Sequence, residues 1–318
     1  MKTNKKIISS LLVILIVMVG GFTYTKFSST KDETKSNGED NITINHKLGE
    51  VSIKKNPQKI VVFDYGVLDS LDTIGIEVQA VAKSSLPSYL SKFKDEKYVD
   101  AGTLFEPNFE KLQELKPDLI IISGRQESVY DKLKEIAPTL YVSISDTGYF
   151  ESFKANMDNL GKIFSKEDVV KDQLDKIDTK IKELNEKVKE KNSKALMIMA
   201  NEGNLSAFGE KSRFGIIHRD FGLKQADENI EESNHGMNVS FEYLAEKNPD
   251  YLFVVDRSAV TGKGVSAQKT LDNDIIKGTS AYKNNRIIYL DSQVWYVSSG
   301  GFTGTNTMID EITKAIEK

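Results

Sequence analysis

NFEKLQELKPDLIIISGR, residues 108–125, is written a second time at 240–257 as SFEYLAEKNPDYLFVVDR. The two align without a gap, with Phe, Glu, Leu, Glu, Pro, Asp and Arg at matching places. Each copy reads as a short helix opened by a capping residue, Asn108 or Ser240. A carboxylate, Glu110 or Glu242, follows in the first turn, where the helix dipole favours it. The chain breaks at Pro117-Asp118 or Pro249-Asp250 and returns as an apolar β-rich run. Helix start and strand end must fall at one edge, so Glu110 and Arg125, and likewise Glu242 and Arg257, are expected on a shared rim. The spacing is far wider than the roughly 20–50 residues of a solenoid repeat. It points to two related lobes.

Working outward, strand and helix alternate on both sides. Before the first copy, KIVVFD reads as a strand, YGVLDSLDTIGI as a helix ending near Gly75, and VQAVAKS as a strand. The copy itself predicts helix 109–116 and strand 119–123. SVYDKLKEIAP and TLYVSI repeat helix then strand. ITINHKLGEVSI alternates around a turn and predicts a β-hairpin, with His46 read as a surface residue. These segments make a lobe over 42–149. Residues 150–191 hold no strand: SFKANMDNLGKIFS predicts one helix, and the run from Lys166 a longer one, with Val169, Leu174, Ile177, Ile181, Leu184 and Val188 on its apolar face. The alternation resumes over 192–318, with KALMIMA, YLFVVD and RIIYLD as strands and FGIIHRDFGL as a helix. The fold class is therefore α/β, with two α/β lobes joined by one long backbone helix and a ligand cleft between them. Such a helix is a stiff strut that limits hinge motion.

The chain has 318 residues, a formal net charge of −4 and no cysteine. The charge implies no nucleic-acid surface. The missing thiols remove disulfides, thiolate metal sites and cysteine nucleophiles. At the N-terminus three lysines precede an apolar run from Ile7 to about Tyr24, long enough for roughly 27 Å of helix. Residues 1–25 read as a signal or membrane-anchor segment, and 26–41 as a polar linker. No A-x-A-like site follows the run, which favours an uncleaved anchor. The body is expected on the outer face of the cytoplasmic membrane, anchored there or secreted after cleavage, and as a monomer.

Of 43 basic residues only five are Arg: Arg125, Arg213, Arg219, Arg257 and Arg286. Where so few are used, the planar donor fork that Lys lacks is a reason to use them. Arg125 and Arg257 sit just past strand ends, where open α/β sheets bind ligands. SAFGEKSRFGIIH places Arg213 in a Gly- and Ser-flanked loop, and ESNHGMN places His235 in a polar loop. Trp295 and Tyr296, adjacent after a strand, suit either core packing or a cleft wall. No nucleophile elbow, P-loop or dinucleotide fingerprint suggests an enzyme.

From about Ile42 onward, PDLIIISGRQ, SAFGEKSRFGIIH, DENI followed by HGMN, KNPDYLFVVDR and IIYLDSQVWYVSSG together resemble the class III, helical-backbone substrate-binding proteins of ABC importers. Within them the chain is most similar to binders of ferric catecholate siderophores of the petrobactin type. The resemblance implies that Arg125, Arg213 and Arg257 are cleft arginines around an anionic ferric catecholate. It implies that His235 and Tyr296 ligate iron directly, and that Glu110 and Glu242 dock onto the permease subunits. It implies no intrinsic cofactor, since Fe(III) arrives within the siderophore. Another iron chelate, haem or cobalamin on the same fold is the alternative. Relatives usually carry a lipid-anchoring Cys, which this chain lacks.

Overall fold

In both copies of the repeat, the local chemistry sets the same turn. The Asn108 side chain accepts the Lys111 amide at 3.1 Å and opens helix Phe109–Leu115. Lys116, at φ 49°, ends it in the left-handed region, and strand Leu119–Ile122 follows. In the second copy Ser240 accepts the Tyr243 amide at 3.3 Å, helix Phe241–Lys247 follows, and Asn248 at φ 39° turns the chain into strand Tyr251–Asp256. A left-handed residue satisfies the last helical carbonyls and reverses the chain. The repeated Asp has a purpose that periodicity does not show. Asp118 accepts the Gln58 and Lys59 amides at 2.9 and 2.8 Å, and Asp250 accepts the Lys194 amide at 2.8 Å. Each carboxylate thus fastens its strand to the start of the neighbouring parallel strand, where Ile60 pairs with Leu119 and Ala195 with Tyr251.

The computed structural model describes residues 41–233 and 235–318. The apolar N-terminal run and the linker up to residue 40 lie outside the described residues. Among the described residues no helix is long and apolar enough to cross a membrane. The first lobe carries a five-stranded parallel sheet in the order Val99–Asp100, Ala80–Val81, Ile60–Val62, Leu119–Ile122, Thr139–Tyr141. Its central strands are buried on both faces, which is why they read as continuous apolar runs. Among the described residues the second lobe carries a six-stranded mixed sheet, whose short strand Lys224–Gln225 pairs in parallel with Lys194–Ala195. Lys194–Asn201 pairs in parallel with Tyr251–Asp256, which pairs in parallel with Ile287–Tyr289. On its other side Lys194–Asn201 runs antiparallel to Asn204–Phe208, and that strand to Met237–Val239.

Helix Glu167–Lys191 extends over 25 residues, about 37 Å at 1.5 Å per residue. It lies against helix Tyr149–Phe164 and against the last helix, Phe302–Ile316. The last helix returns to the first lobe, where buried Asp69 accepts the Gly304 amide at 2.9 Å.

Several local expectations are corrected. The buried stripe of the long helix runs through Val170, Leu174, Ile177, Leu184 and Val188, while Val169 is exposed. Val170 is four residues before Leu174 and so shares its face; Val169 is five before and does not. FGIIHRDFGL forms only the single turn Ile216–Arg219. The strand Asn204–Phe208 was not expected. It follows a two-residue turn with Glu202 at φ 52° and Gly203 at φ 86°, the geometry that matches strand twist in tight hairpins. His46 is half-buried rather than on the surface. It packs edge-on to Tyr130 at 5.7 Å, and burial pulls its imidazole below the ordinary value. The hairpin that carries it forms as expected, Asn41–His46 with Gly49–Lys54.

Candidate functional site

Tyr296 is the hub of the cleft. It lies in the π-helical turn Gln293–Val297, where neighbouring side chains part company. Trp295 goes into the core, 1% exposed, and its indole donates to Glu311 Oε2 at 2.8 Å. Glu311 also accepts the Asp291 amide at 2.8 Å, so one part-buried carboxylate ties the middle of the turn to the chain just before it; burial raises its pKa above the ordinary value. Tyr296 is thereby held half-exposed in the cleft wall.

Three arginines from three separate segments converge on it. Arg125 Nη2 and Arg213 Nη2 donate to the Tyr296 carbonyl at 3.3 and 3.1 Å. Arg257 Nε donates to the Tyr296 phenol oxygen at 2.8 Å. The guanidinium carbons of Arg213 and Arg257 stand 4.8 and 5.7 Å from the Tyr296 ring centroid. Burial pulls the Arg213 guanidinium below its ordinary value, yet an Arg side chain stays ionised. None of the three is ion-paired to a protein carboxylate among the described residues. Three cations without a carboxylate partner favour an incoming anion.

Local structure explains each placement. Arg125 lies in the 3-10 turn Gly124–Val129, fixed by fully buried Gln126, which accepts the Ser123 amide and donates to the Leu104 carbonyl. Arg213 sits in a loop so tight that a Cβ on Gly215 would lie 1.9 Å from the Glu210 carbonyl oxygen. Phe214 anchors that loop against Phe208 and Trp295, and the Arg213 guanidinium carbon stands 5.0 Å from the Phe214 ring centroid. Arg257 opens helix Arg257–Thr261, capped by Asp256, whose side chain accepts the Ala259 amide at 3.2 Å.

Two cavities meet at Arg213 and Tyr296. One, of about 860 Å³, is walled by those two residues with Arg257, His235, Asn201 and Asn238. The other, of about 300 Å³, reaches from Arg125 toward Asp64, Ser123 and Asp146. His235 is exposed and its amide donates to Ser233 Oγ at 3.2 Å. Gly236 beside it takes φ 76° and packs so closely that a Cβ would meet the Ala207 carbonyl and the Phe208 ring at 2.8 Å. The structure therefore brings together Arg125, Arg213, Arg257, His235 and Tyr296. Glu110 and Glu242 lie apart from them, exposed in the first turns of their helices. Hydrogen bonds from its own amide and from Ser240 hold the Glu242 carboxyl below its ordinary value. Asp64, Ser123 and Asp146 were not anticipated. Asp64 ends the run KIVVFD and could have been found by the strand-end rule that found Arg125.

A model of the periplasmic binding proteins matches residues 60–294. The chain belongs to the periplasmic binding protein family. This binding protein is 45% identical over 313 residues to the petrobactin-binding protein YclQ of Bacillus subtilis, spanning 97% of the present chain and 99% of YclQ. It matches the crystal structure of YclQ with a TM-score of 0.86 and 48% identity, over 88% of this chain and 99% of that one. The periplasmic catecholate-siderophore binding protein VctP of Vibrio cholerae matches at TM-score 0.82 and 40% identity, over 86% of this chain and 100% of VctP. The iron uptake ABC transporter substrate-binding protein PiuA of Streptococcus pneumoniae matches at TM-score 0.82 and 39% identity, over 86% and 98%. The two-lobe architecture is the one these proteins share.

Proposed function

We propose that this binding protein is the solute-binding component of an ABC-type importer. It takes a ferric catecholate siderophore in the cleft and passes it to the permease without chemical turnover. The observation that carries this reading is the convergence of Arg125, Arg213 and Arg257, none ion-paired to a protein carboxylate among the described residues, on one half-exposed tyrosine. Catecholate oxygens around Fe(III) leave the complex negatively charged, and fixed guanidinium groups meet that charge. Similarity to proteins named for petrobactin and for catecholate siderophores supports the same ligand class.

Iron is cargo here. Among the described residues no group of three His, Asp or Glu could hold a metal ion by itself. A tetradentate bis-catecholate leaves two positions on iron, and the two side chains offered are the Tyr296 phenol and the His235 imidazole, which wall one cavity. Both suit a hard ferric ion. Tyr296 gives up its proton on ligation, and Arg257 Nε at 2.8 Å stays as a donor to the resulting phenolate. Glu110 and Glu242, one per lobe and both exposed, are the docking carboxylates for the two permease subunits. The body works as a monomer on the outer face of the cytoplasmic membrane, attached by the N-terminal segment or secreted after its removal.

Titration of the purified full-length chain with iron complexes tests the reading. A ferric bis-catecholate should saturate the protein and quench Trp295, whose indole sits one residue from the proposed iron ligand. Tighter binding of ferric citrate or a ferric hydroxamate would overturn it.

A further inference from the structure

The turn that carries Tyr296 follows a second-lobe strand, Ile287–Tyr289, yet its hydrogen bonds reach into the first lobe. Ser88 and Tyr89 open the first-lobe 3-10 segment Ser88–Lys94. The Ser88 amide, a helix-start donor with no partner inside its own segment, donates to Gln293 Oε1 at 2.9 Å. The Tyr89 phenol donates to Ser298 Oγ at 2.9 Å, and Ser298 Oγ donates to the Gln293 carbonyl at 3.0 Å. The direction of this chain is forced. A carbonyl only accepts, so it takes the single hydroxyl proton of Ser298, and Tyr89 must be the donor. Burial raises the Tyr89 pKa, which keeps that proton in place.

The Gln293 carbonyl also accepts the Ser298 amide at 3.1 Å, the i→i+5 bond that makes the turn π-helical. Both braces thus end on the residue whose carbonyl closes the turn, and that closure is what parts Tyr296 from Trp295. An ordinary α-turn over the same residues would close by i→i+4 bonds and aim Tyr296 elsewhere. Neither Tyr89 nor Gln293 walls either cavity, so neither is placed to touch a ligand. His235, by contrast, precedes the second-lobe strand Met237–Val239, which pairs with Leu205–Ala207. The two side chains offered to iron are held by different lobes, and the geometry between them rests on the braces from Ser88 and Tyr89.

Resting on the reading that Tyr296 ligates the ferric ion, we propose that Tyr89 and Gln293 are positioning residues for it: contacts from the first lobe hold the π-helical turn in the register that aims the Tyr296 phenol at the metal.

The charge-transfer spectrum and Kd of the full-length protein with a synthetic ferric bis-catecholate are compared for wild type, Tyr89→Phe, Tyr296→Phe and the double variant. Tyr89→Phe removes one hydroxyl and should raise Kd about fivefold, the worth of one hydrogen bond, while shifting the band toward that of the Tyr296→Phe complex. In the Tyr296→Phe background the same substitution should move the band no further and Kd by less than about twofold, because a residue that acts through the phenol has nothing left to act on. Gln293→Met removes the other brace and should repeat the pattern, so a Tyr89 variant that melts early leaves the test intact. Equal effects of Tyr89→Phe in both backgrounds would make Tyr89 a prop between the lobes and overturn the proposal. Wild-type spectrum and affinity in Tyr89→Phe and Gln293→Met would overturn it as well. If Tyr296→Phe alone leaves the spectrum unchanged, the ligation reading itself falls and takes this inference with it.

Discussion

Arg257→Gln isolates the electrostatic contribution to binding. The guanidinium of Arg257 touches the Tyr296 phenol oxygen at 2.8 Å. The net negative charge of a ferric chelate bound at that oxygen would stand roughly 5 Å from the guanidinium, and a unit charge at that distance is worth about 3 kcal/mol at an effective dielectric of 20. Arg257 is half-exposed, so solvent screening takes about half of this. The expected loss is about a tenfold rise in Kd, on the order of 1.5 kcal/mol. Tryptophan quenching by a ferric bis-catecholate at low salt measures it. Arg286→Gln is the control. Arg286 carries the same charge but stands over the Tyr251 ring, with its guanidinium carbon 4.8 Å from the centroid; Tyr251 lies in the core and Arg286 walls neither cavity. Its removal should leave Kd unchanged. Raising the salt should weaken wild type more than the Arg257 variant. Equal effects of the two substitutions would mean that net charge, and not a placed guanidinium, draws the ligand, and the argument from convergence would fail.

Two further outcomes follow. His218 donates from Nδ1 to the Leu223 carbonyl at 2.9 Å, and burial pushes its pKa down from 6.5 to about 4. Its folded pKa is the lower one, so between pH 6.5 and 4 the unfolded chain binds the extra proton and stability falls as the pH drops. A shift of this size is worth about 3 kcal/mol, and the difference in stability between wild type and His218→Gln, followed by denaturant melts across that window, should shrink accordingly. Glu110→Lys with Glu242→Lys should leave siderophore affinity alone and abolish uptake by intact cells; normal uptake by the double variant would remove these residues from the docking face.

What the sequence made legible was the part governed by neighbours along the chain. Asn108 and Ser240 cap, Lys116 and Asn248 turn, and the strands follow, because each step depends on a few adjacent residues. The long helix was legible in extent but slipped by one residue at its start, since Val169 and Val170 are both apolar and only packing chooses between them. The strand Asn204–Phe208 was hidden because its turn uses Glu202 at positive φ, a residue type that gives no turn signal. His46 looked exposed because the rings that cover it, Tyr130 and Tyr141, come from far along the chain. The division of labour between Trp295 and Tyr296 was likewise invisible until the π-helical turn assigned one to the core and the other to the cleft. The cleft acids escaped notice because attention to scarce arginine says nothing about common aspartate.

Tyr296 and His235, as iron ligands, are the centre of the proposed binding mode. The charge-transfer spectrum of a bound ferric bis-catecholate, taken with wild type, Tyr296→Phe, His235→Ala and the double variant, reads the first coordination sphere itself. The band should move on binding to wild type, move less with each single variant, and return to the free-complex spectrum in the double one, with affinity falling in step. A double variant whose spectrum and affinity match wild type would show that neither side chain reaches the metal.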